Sequence, residues 1–402
     1  MRWHDPCVLD RNSPERGRTF KGVFMKRIFT SLIILVSLTA MSFAGGQQDS
    51  SGASESKVIK AEALPEVSDS DLALAKGPNG ETAVRASEVE LTDAQVQNVK
   101  DGQFKAALLW AGSGEWYNAL SKGAEDEFAR LGVKVVSNAD AQFDPAKQAT
   151  DVETCMALQP DAILTLVVDP VSGARAFRPV VDNNIVLVFA DNGVDGYKAG
   201  SEYVNVVTGD HYGMGRAAAE LMNDALNGEG KVGFIYHDAD FFVTNNRDSA
   251  FKKDIENKYA GMSIAAEKGF SEESATEEVT NAMMTQNPDI TGIYVAWDVA
   301  AEGVVAALRS GGWNDVKVVT HDLGATLDLD IALKGNVYGK VADVPYDIGV
   351  TMARSAALEL IGEKVPPFVV VPYLKMTSDN IREVWNQSLR KDPPSSVLKS
   401  LK

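Results

Sequence analysis

The chain has 402 residues, of which 45% are hydrophobic and 24% are charged, and its formal net charge is −17 at pH 7. This length suits two packed domains, and the composition is that of an ordinary soluble globular protein. A strongly acidic chain without a basic stripe repels nucleic acid and anionic lipid, so nucleic-acid binding is disfavoured.

The N-terminal 44 residues have the pattern of an export leader. A basic start at 25–27 precedes an apolar run at 28–38, and small residues follow at 42 and 44. The apolar run is shorter than the roughly 20 residues that a membrane-spanning helix needs. We therefore predict a cleaved signal peptide that starts at Met25, after an over-extended gene start, and a periplasmic location. No cysteine immediately follows the apolar run to carry a lipid anchor.

Residues 45–102 are predicted to form a linker and a short helical extension. Gly, Gln, Ser and acidic residues dominate 45–56, which is typical of a flexible tether. Thr92 and Gln95 have the spacing of a helix capping box, which predicts a helix that ends near Gly102.

From Phe104 onward the sequence alternates between apolar runs of strand length and helical patterns. Near-continuous Ile, Val and Leu strands separated by helices are typical of parallel sheets that are covered on both faces. Because the pattern restarts after 190, we predict an α/β fold with two doubly wound, Rossmann-like lobes. The predicted strands are 104–110, 133–137, 161–168, 185–190, 231–236, 262–267, 292–296, 316–320 and 337–341, and the helices between and after them are 116–130, 145–158, 172–181, 211–226, 244–258, 272–286, 300–309, 325–333 and 348–361.

The predicted lobes exchange segments near the end of the chain. We expect an N-terminal lobe from 103–208 and 344–370, and a C-terminal lobe from 209–343 and 371–390. Residues 391–402 are then a tail. Crossings near 207–210, 342–345 and 371 would make a multi-strand hinge.

Polar and aromatic residues follow the predicted strands, where doubly wound sheets bind their ligands. A single such Asp is equally well explained as a helix N-cap. Together, however, aromatic faces can pack on the C–H surfaces of a sugar while charged groups bind its hydroxyls, each for about 1.5–3 kcal/mol. The sequence therefore predicts a small polyhydroxylated ligand, a monosaccharide or related polyol. The predicted binding residues are Trp116, Tyr117, Asp169, Asp191, Asn192, Arg247, Trp297, Asp298, Asp322 and Asp343.

In order and spacing these motifs resemble those of the ribose/galactose-type periplasmic binding proteins of sugar ABC transporters. The resemblance runs from about Phe104 to Lys375 and implies the type I periplasmic binding protein fold. It implies that Trp116 and Tyr117 sandwich the ligand, and that a monomer closes on it and docks on an ABC permease. It also implies that hydroxyls are held by Asp191, Arg247, Asp322 and Asp343. The motifs are Gly114-Glu115-Trp116-Tyr117, Asp169-Pro170, Asp191-Asn192, 209–213, 247–251, Trp297-Asp298, Asp322 and 344–349.

Four positions depart from the ribose-binding members of that family. Asp169, Asn192, Trp297 and Asp343 stand where those members typically have Asn, Arg, Asn and Gln. Ribose as the ligand therefore does not follow from the resemblance. Several Asp residues with Arg247 as the main cation also leave room for an amine-bearing ligand.

Metal, cofactor and phosphate sites are disfavoured. The loop 138–144 has oxygen donors at alternate positions but lacks the Gly and Glu that an EF-hand loop needs at its sixth and twelfth positions. The His residues are scattered singly, without metal-ligand spacing. The turn 112–114 lacks the Lys and the length of a phosphate loop. We predict no metal and no cofactor.

Catalysis is also disfavoured, because the strand-end residues include no serine elbow, no reactive Cys and no His paired with a nucleophile. A glycan-processing enzyme that uses two of the Asp residues as a hydrolytic pair is a less favoured alternative. Cys155 lies on an apolar helical face and is predicted to be inert. A ligand sensor for a membrane receptor remains an alternative to transport, since both would use the same closed, liganded form. The leader, and the lack of a helix-turn-helix pattern, disfavour a transcriptional repressor.

Overall fold

A computed structural model of the protein describes residues 63–239 and 241–401. The predicted leader and tether lie outside these residues. Among the helices in the described ranges, none is both long enough and apolar enough to cross a membrane.

The described residues form thirteen strands and fourteen α-helices. The strands are β1 (Val84–Arg85), β2 (Lys105–Trp110), β3 (Lys134–Asp140), β4 (Ala162–Thr165), β5 (Val186–Ala190), β6 (Val206–Gly209), β7 (Gly230–His237), β8 (Met262–Phe270), β9 (Gly292–Val295), β10 (Lys317–His321), β11 (Val337–Ala342), β12 (Phe368–Val371) and β13 (Leu374–Thr377). The helices are α1 (Asp69–Leu74), α2 (Asp93–Gly102), α3 (Glu115–Leu131), α4 (Pro145–Met156), α5 (Pro170–Ala176), α6 (Arg178–Asp182), α7 (His211–Ala225), α8 (Phe242–Lys258), α9 (Thr276–Gln286), α10 (Asp298–Gly311), α11 (Ala325–Ala332), α12 (Pro345–Leu360), α13 (Ile381–Leu389) and α14 (Ser395–Ser400).

Two sheets organise the described part of the chain. The first has the strand order β1-β12-β6-β5-β4-β2-β3, and the second has the order β13-β11-β10-β9-β7-β8. The paired strands run parallel, except that β13 is antiparallel to β11. The predicted fold class, an α/β protein with two parallel-sheet lobes, is confirmed.

The chain passes between the two sheets three times. It leaves the first sheet after β6, returns after β11 to form α12 and β12, and leaves again between β12 and β13. These crossings fall where the sequence predicts hinge segments. A hinge motion at them stays a prediction.

Helix α3 is held firmly against α12. A Cβ atom at Gly123 would lie 1.9 Å from the backbone oxygen of Tyr346, so only glycine permits this approach. At the start of the same helix, Gly114 has φ 132°, a conformation that L side chains rarely adopt. This local geometry fixes the first turn of α3, which carries Trp116 and Tyr117.

Several boundaries differ from the predictions. The predicted helix 172–181 begins instead at Pro170 and breaks at Phe177, because Pro179 has no N–H group to continue the helical hydrogen bonds. Strands β1, β6, β12 and β13 were not predicted as strands. The capping box at Thr92 and Gln95 is present as predicted.

The segment before α2 also contacts both lobes. Strand β1 pairs with β12 and extends the first sheet. In α1, the Asp71 carboxylate accepts a hydrogen bond from Arg216 of α7, the helix that packs on the second sheet. The predicted linker region therefore includes a folded portion that touches both sides of the hinge segments.

Candidate ligand-binding site

A cavity of about 300 Å³ lies where the carboxyl ends of the two sheets face each other. This is the place where doubly wound sheets bind ligands. Eight of the ten predicted residues line it. They are Trp116, Tyr117, Asp191, Arg247, Trp297, Asp298, Asp322 and Asp343.

The two aromatic residues of α3 form one wall. The rings of Trp116 and Tyr117 meet edge to face, with centroids 5.1 Å apart. Trp116 Nε1 donates a hydrogen bond of 3.2 Å to Oδ2 of Asp343, which follows β11 of the second sheet. A hydrogen bond thus joins Trp116, in the helix that follows β2 of the first sheet, to Asp343, which follows β11 of the second sheet.

Arg247 anchors the opposite side. Its side chain is only 4% exposed, and it donates to the two oxygens of Asp322 at 2.8 and 3.2 Å. Burial disfavours the charged guanidinium, but the carboxylates of Asp322 and Asp343 outweigh burial and raise the pKa of Arg247. The guanidinium is therefore a permanent cation in the wall of the cavity.

A chain of buried hydrogen bonds runs from Arg247 to Asp191. Arg247 Nε donates to Nδ1 of His211 at 3.2 Å, and His211 Nε2 lies 2.7 Å from Oγ1 of Thr208. The Thr208 hydroxyl donates to Oδ1 of Asp191 at 2.7 Å. Since Thr208 has one proton to give, it must accept from His211, so every hydrogen in the chain is assigned. The chain connects α8 of the second lobe with β5 of the first.

Asp191 and Asp322 occupy equivalent positions in the two lobes. Each directly follows a strand, and each has a positive φ, 53° for Asp191 and 62° for Asp322. Asp tolerates this left-handed conformation better than most residues, and such geometry concentrates at functional sites. The backbone N–H groups of both residues bond to a neighbouring strand, at Val207 and Val341 respectively.

Two of the carboxylates are unusually easy to protonate. Burial raises the pKa of Asp298 to about 7. Burial, followed by the charge of Asp191, raises the pKa of Asp343 to about 6. Both groups thus exchange protons near neutral pH.

Trp297 is positioned by aromatic neighbours behind it. His237 meets it edge-on at 4.9 Å between ring centroids, and Phe270 lies at 4.8 Å. Its indole Nε1 donates to Glu273 at 2.5 Å. The indole ring is thereby fixed with its N–H already engaged.

Asp169 and Asn192 are not among the residues that line the cavity. Oδ1 of Asp169 accepts from the backbone N–H groups of Val171 at 3.0 Å and Ser172 at 2.9 Å. These bonds, with the Ser172 hydroxyl bond as the largest contribution, lower the pKa of Asp169. Asp169 thus caps α5, the alternative that its sequence context also allowed. A ligand contact by either residue stays a prediction.

Sequence reasoning missed part of the wall and the layer behind it. Thr208 and His211 do not touch the cavity but orient the residues that do. The sequence did not indicate the apolar lining residues, because only polar and aromatic residues that directly follow strands were predicted to bind ligand. The lining residues that were not predicted are Leu166, Val243, Leu323, Ser388 and Leu389.

Comparisons with known proteins agree with this architecture. A D-allose-binding periplasmic protein of Escherichia coli is 26% identical over 288 residues, covering 67% of this chain and 89% of the relative. A ribose import binding protein of Bacillus subtilis is 25% identical over 258 residues, covering 64% and 81%. The fold matches an ABC transporter solute-binding protein from Agrobacterium vitis bound with α-D-tagatopyranose, with a TM-score of 0.62, 22% identity and coverage of 69% and 96%.

The family model described as "Periplasmic binding protein domain" matches residues 106–364. That range covers both sheets from β2 to β11 and helix α12. It also contains the eight predicted residues that line the cavity. The match spans well over half of the chain, and the protein therefore belongs to the periplasmic binding protein domain family.

Proposed function

We propose that this protein is an exported solute-binding protein that captures a monosaccharide or related polyol and delivers it to an ABC importer permease. The observation that carries the proposal is the cavity itself. Aromatic faces of Trp116, Tyr117 and Trp297 share it with carboxylates and a fixed guanidinium. Relatives named for ribose import and allose binding support the ligand class.

The mechanism that we propose is closure of the two lobes around the ligand. Residues from both sheets line the cavity, so a bound ligand contacts both lobes at once and stabilises the closed form. Without ligand those contacts are missing, and the open form is favoured. A permease that docks only the closed form would then receive loaded protein.

We further propose that the protein binds its ligand without converting it. Ser388 lines the cavity, but its hydroxyl donates to the backbone oxygen of Asp343 and has no basic partner there. Among the described lining residues no hydroxyl or thiol is paired with a histidine base. Export to the periplasm rests on the predicted leader that starts at Met25.

A calorimetric panel of pentoses, hexoses and polyols, including ribose, allose and tagatose, tests the proposal. We expect saturable binding of at least one member and unchanged ligand on recovery. Asp322→Ala should weaken binding about tenfold or more. Asp289→Asn is the matched control, because this exposed carboxylate pairs with Lys231 away from the cavity. Equal affinity in the wild type and Asp322→Ala, or a converted product, would overturn the proposal.

Export is tested separately. A chain that starts at Met25 should appear in the periplasmic fraction with its leader removed, as read by mass spectrometry of the intact protein. Retention of an uncleaved chain in the cytoplasm would contradict the location.

A further inference from the structure

We infer that the ligand of this cavity carries a positive charge, as an amine-bearing sugar or polyol does. The inference rests on the proposed function and concerns the chemistry of the same site. It follows from the balance of charges and of hydrogen-bond donors around the cavity.

The cavity has more carboxylates than cations. Asp191, Asp298, Asp322 and Asp343 line it, and Arg247 is the guanidinium that faces them. Arg247 is already committed to Asp322 through two hydrogen bonds. The other three carboxylates do not share those two hydrogen bonds, although the charge of Arg247 still acts on Asp343.

The other neighbouring basic groups are neutral or are paired elsewhere. Nδ1 of His211 accepts a hydrogen bond from Arg247, which means that the imidazole is neutral. Burial, together with the charge of Arg247, holds the pKa of His321 well below its usual range, so this imidazole is also neutral. Lys340 is fully buried and lies 2.7 Å from Asp328; burial raises the pKa of Asp298 even though the charge of Lys340 acts in the opposite direction. Within the part of the chain that the structure describes, no ion pair joins a Lys or Arg to Asp191, Asp298 or Asp343.

The hydrogen-bond donors of the wall are largely in use as well. The Trp116 and Trp297 indoles and the Ser388 hydroxyl each donate to another part of the protein. Arg247 has three N–H groups in bonds out of the five that a guanidinium carries. The Tyr117 hydroxyl and the two remaining Arg247 N–H groups are the other side-chain donors of the wall. Four carboxylates face these few donors, so the best complement is a ligand rich in donors.

An ammonium group meets both requirements. It carries three donors and no acceptor, and charge-assisted bonds from ammonium to carboxylate are about twice as strong as neutral ones. The faces of Trp116, Tyr117 and Trp297 can also attract a cation. A neutral sugar hydroxyl brings one donor and no charge.

The inference predicts that binding of the ligand releases protons from the cavity. Without ligand, burial raises the pKa of Asp298 to about 7 and that of Asp343 to about 6, so Asp298 is partly protonated at neutral pH and Asp343 at slightly acidic pH. An incoming ammonium favours the ionised carboxylates and expels those protons. A neutral polyol has no such effect. Affinity for a fully charged amine should therefore rise as the pH increases through this range.

Paired ligands provide the test. Full-length mature protein is titrated with D-glucosamine and D-glucose, and with scyllo-inosamine and scyllo-inositol, in phosphate and in Tris at one pH near 7. We expect at least one amine to bind about tenfold or more tightly than its neutral partner, with a binding enthalpy that differs between the buffers because protons are released. Calcium chloride is titrated as a control, because Ca²⁺ is a cation that has no hydrogen-bond donors.

Variants sharpen the result. Asp298→Asn and Asp343→Asn keep the shape of the wall and should each reduce the preference for the amine about tenfold, with a smaller effect on the neutral partner. Asp289→Asn should change neither ligand. If the neutral partners, or sugars of the wider panel, bind as tightly as the amines, the charge inference is wrong and the proposed function stands. If no amine and no sugar binds, the proposed function fails as well.

Discussion

Replacement of Arg247 by methionine is the most informative single perturbation of the cavity. The guanidinium is buried and makes three hydrogen bonds, two to Asp322 and one to His211. Methionine fills similar space but donates nothing. The variant Arg247→Met therefore leaves a carboxylate and an imidazole nitrogen without their donor.

The expected loss in the free energy of unfolding depends on how exposed Asp322, which loses its hydrogen-bond donor, is to water. Removal of one member of a buried ion pair costs about 3–5 kcal/mol. The Asp322 side chain is 22% exposed, so water can replace part of what it loses. We therefore expect Arg247→Met to lower the free energy of unfolding by an amount near the lower limit, about 3 kcal/mol. At about 2 °C per kcal/mol for a large chain, the melting temperature falls by about 6 °C.

Ligand affinity should fall independently of stability. A hydrogen bond to a charged group contributes about 1.5–3 kcal/mol, so the loss of Arg247 weakens binding about tenfold or more. The double variant Arg247→Met/Asp322→Asn removes the stranded charge. It should regain most of the stability but not the affinity, as measured by thermal denaturation and calorimetry with the tightest ligand of the panel. If Arg247→Met alone leaves both quantities unchanged, the assigned role of Arg247 is wrong.

Three further measurements test the buried groups. Burial raises the pKa values of Asp248 and Asp298 to about 7, so the folded protein binds protons that the unfolded chain has released. The melting temperature of ligand-free protein should therefore fall as the pH rises from about 5.5 to about 8, and Asp298→Asn should flatten this slope. Burial raises the pKa of the Cys155 thiol to about 11, so iodoacetamide should label it in urea but not in the native state, by mass spectrometry. Lys340→Met should lower the free energy of unfolding by about 3–5 kcal/mol in urea denaturation, and adding Asp328→Asn, which removes the charge but keeps an acceptor for the Trp385 indole N–H, should restore most of it.

The fold was largely predictable because several of its strands are buried on both faces. Strands β2, β5 and β10 appear in the sequence as uninterrupted buried runs between helices, and their ends fall within a few residues of the prediction. Strands β6, β12 and β13 have only four residues each, as β4 and β9 do. Strands β4 and β9 lie between helices, whereas no α-helix separates β6 from β5 or β12 from β13. Whether so short a segment is a strand depends on partners that are distant in sequence, as when β12 inserts between β1 and β6. Local patterns do not contain that information.

The site was predictable for a related reason. Parallel strands end at the same edge, so residues that follow different strands, such as Asp191 and Asp322, gather around one cavity. The same rule cannot separate a ligand-binding Asp from an N-cap, which is why Asp169 was included. It also cannot find Ser388 and Leu389, because they reach the cavity from α13 and not from a strand end.

The ligand site and the hinge segments share residues, and this overlap links binding to closure. Thr208 and His211 flank the crossing after β6, and their hydrogen bonds connect Asp191 with Arg247. Asp343 lies at the crossing after β11 and accepts from Trp116 of the other lobe. A ligand that changes the charge state of Asp343 therefore acts on a bond that joins the two lobes. Since a ligand shifts a conformational equilibrium only by its differential affinity for the two states, these shared residues are where that difference arises.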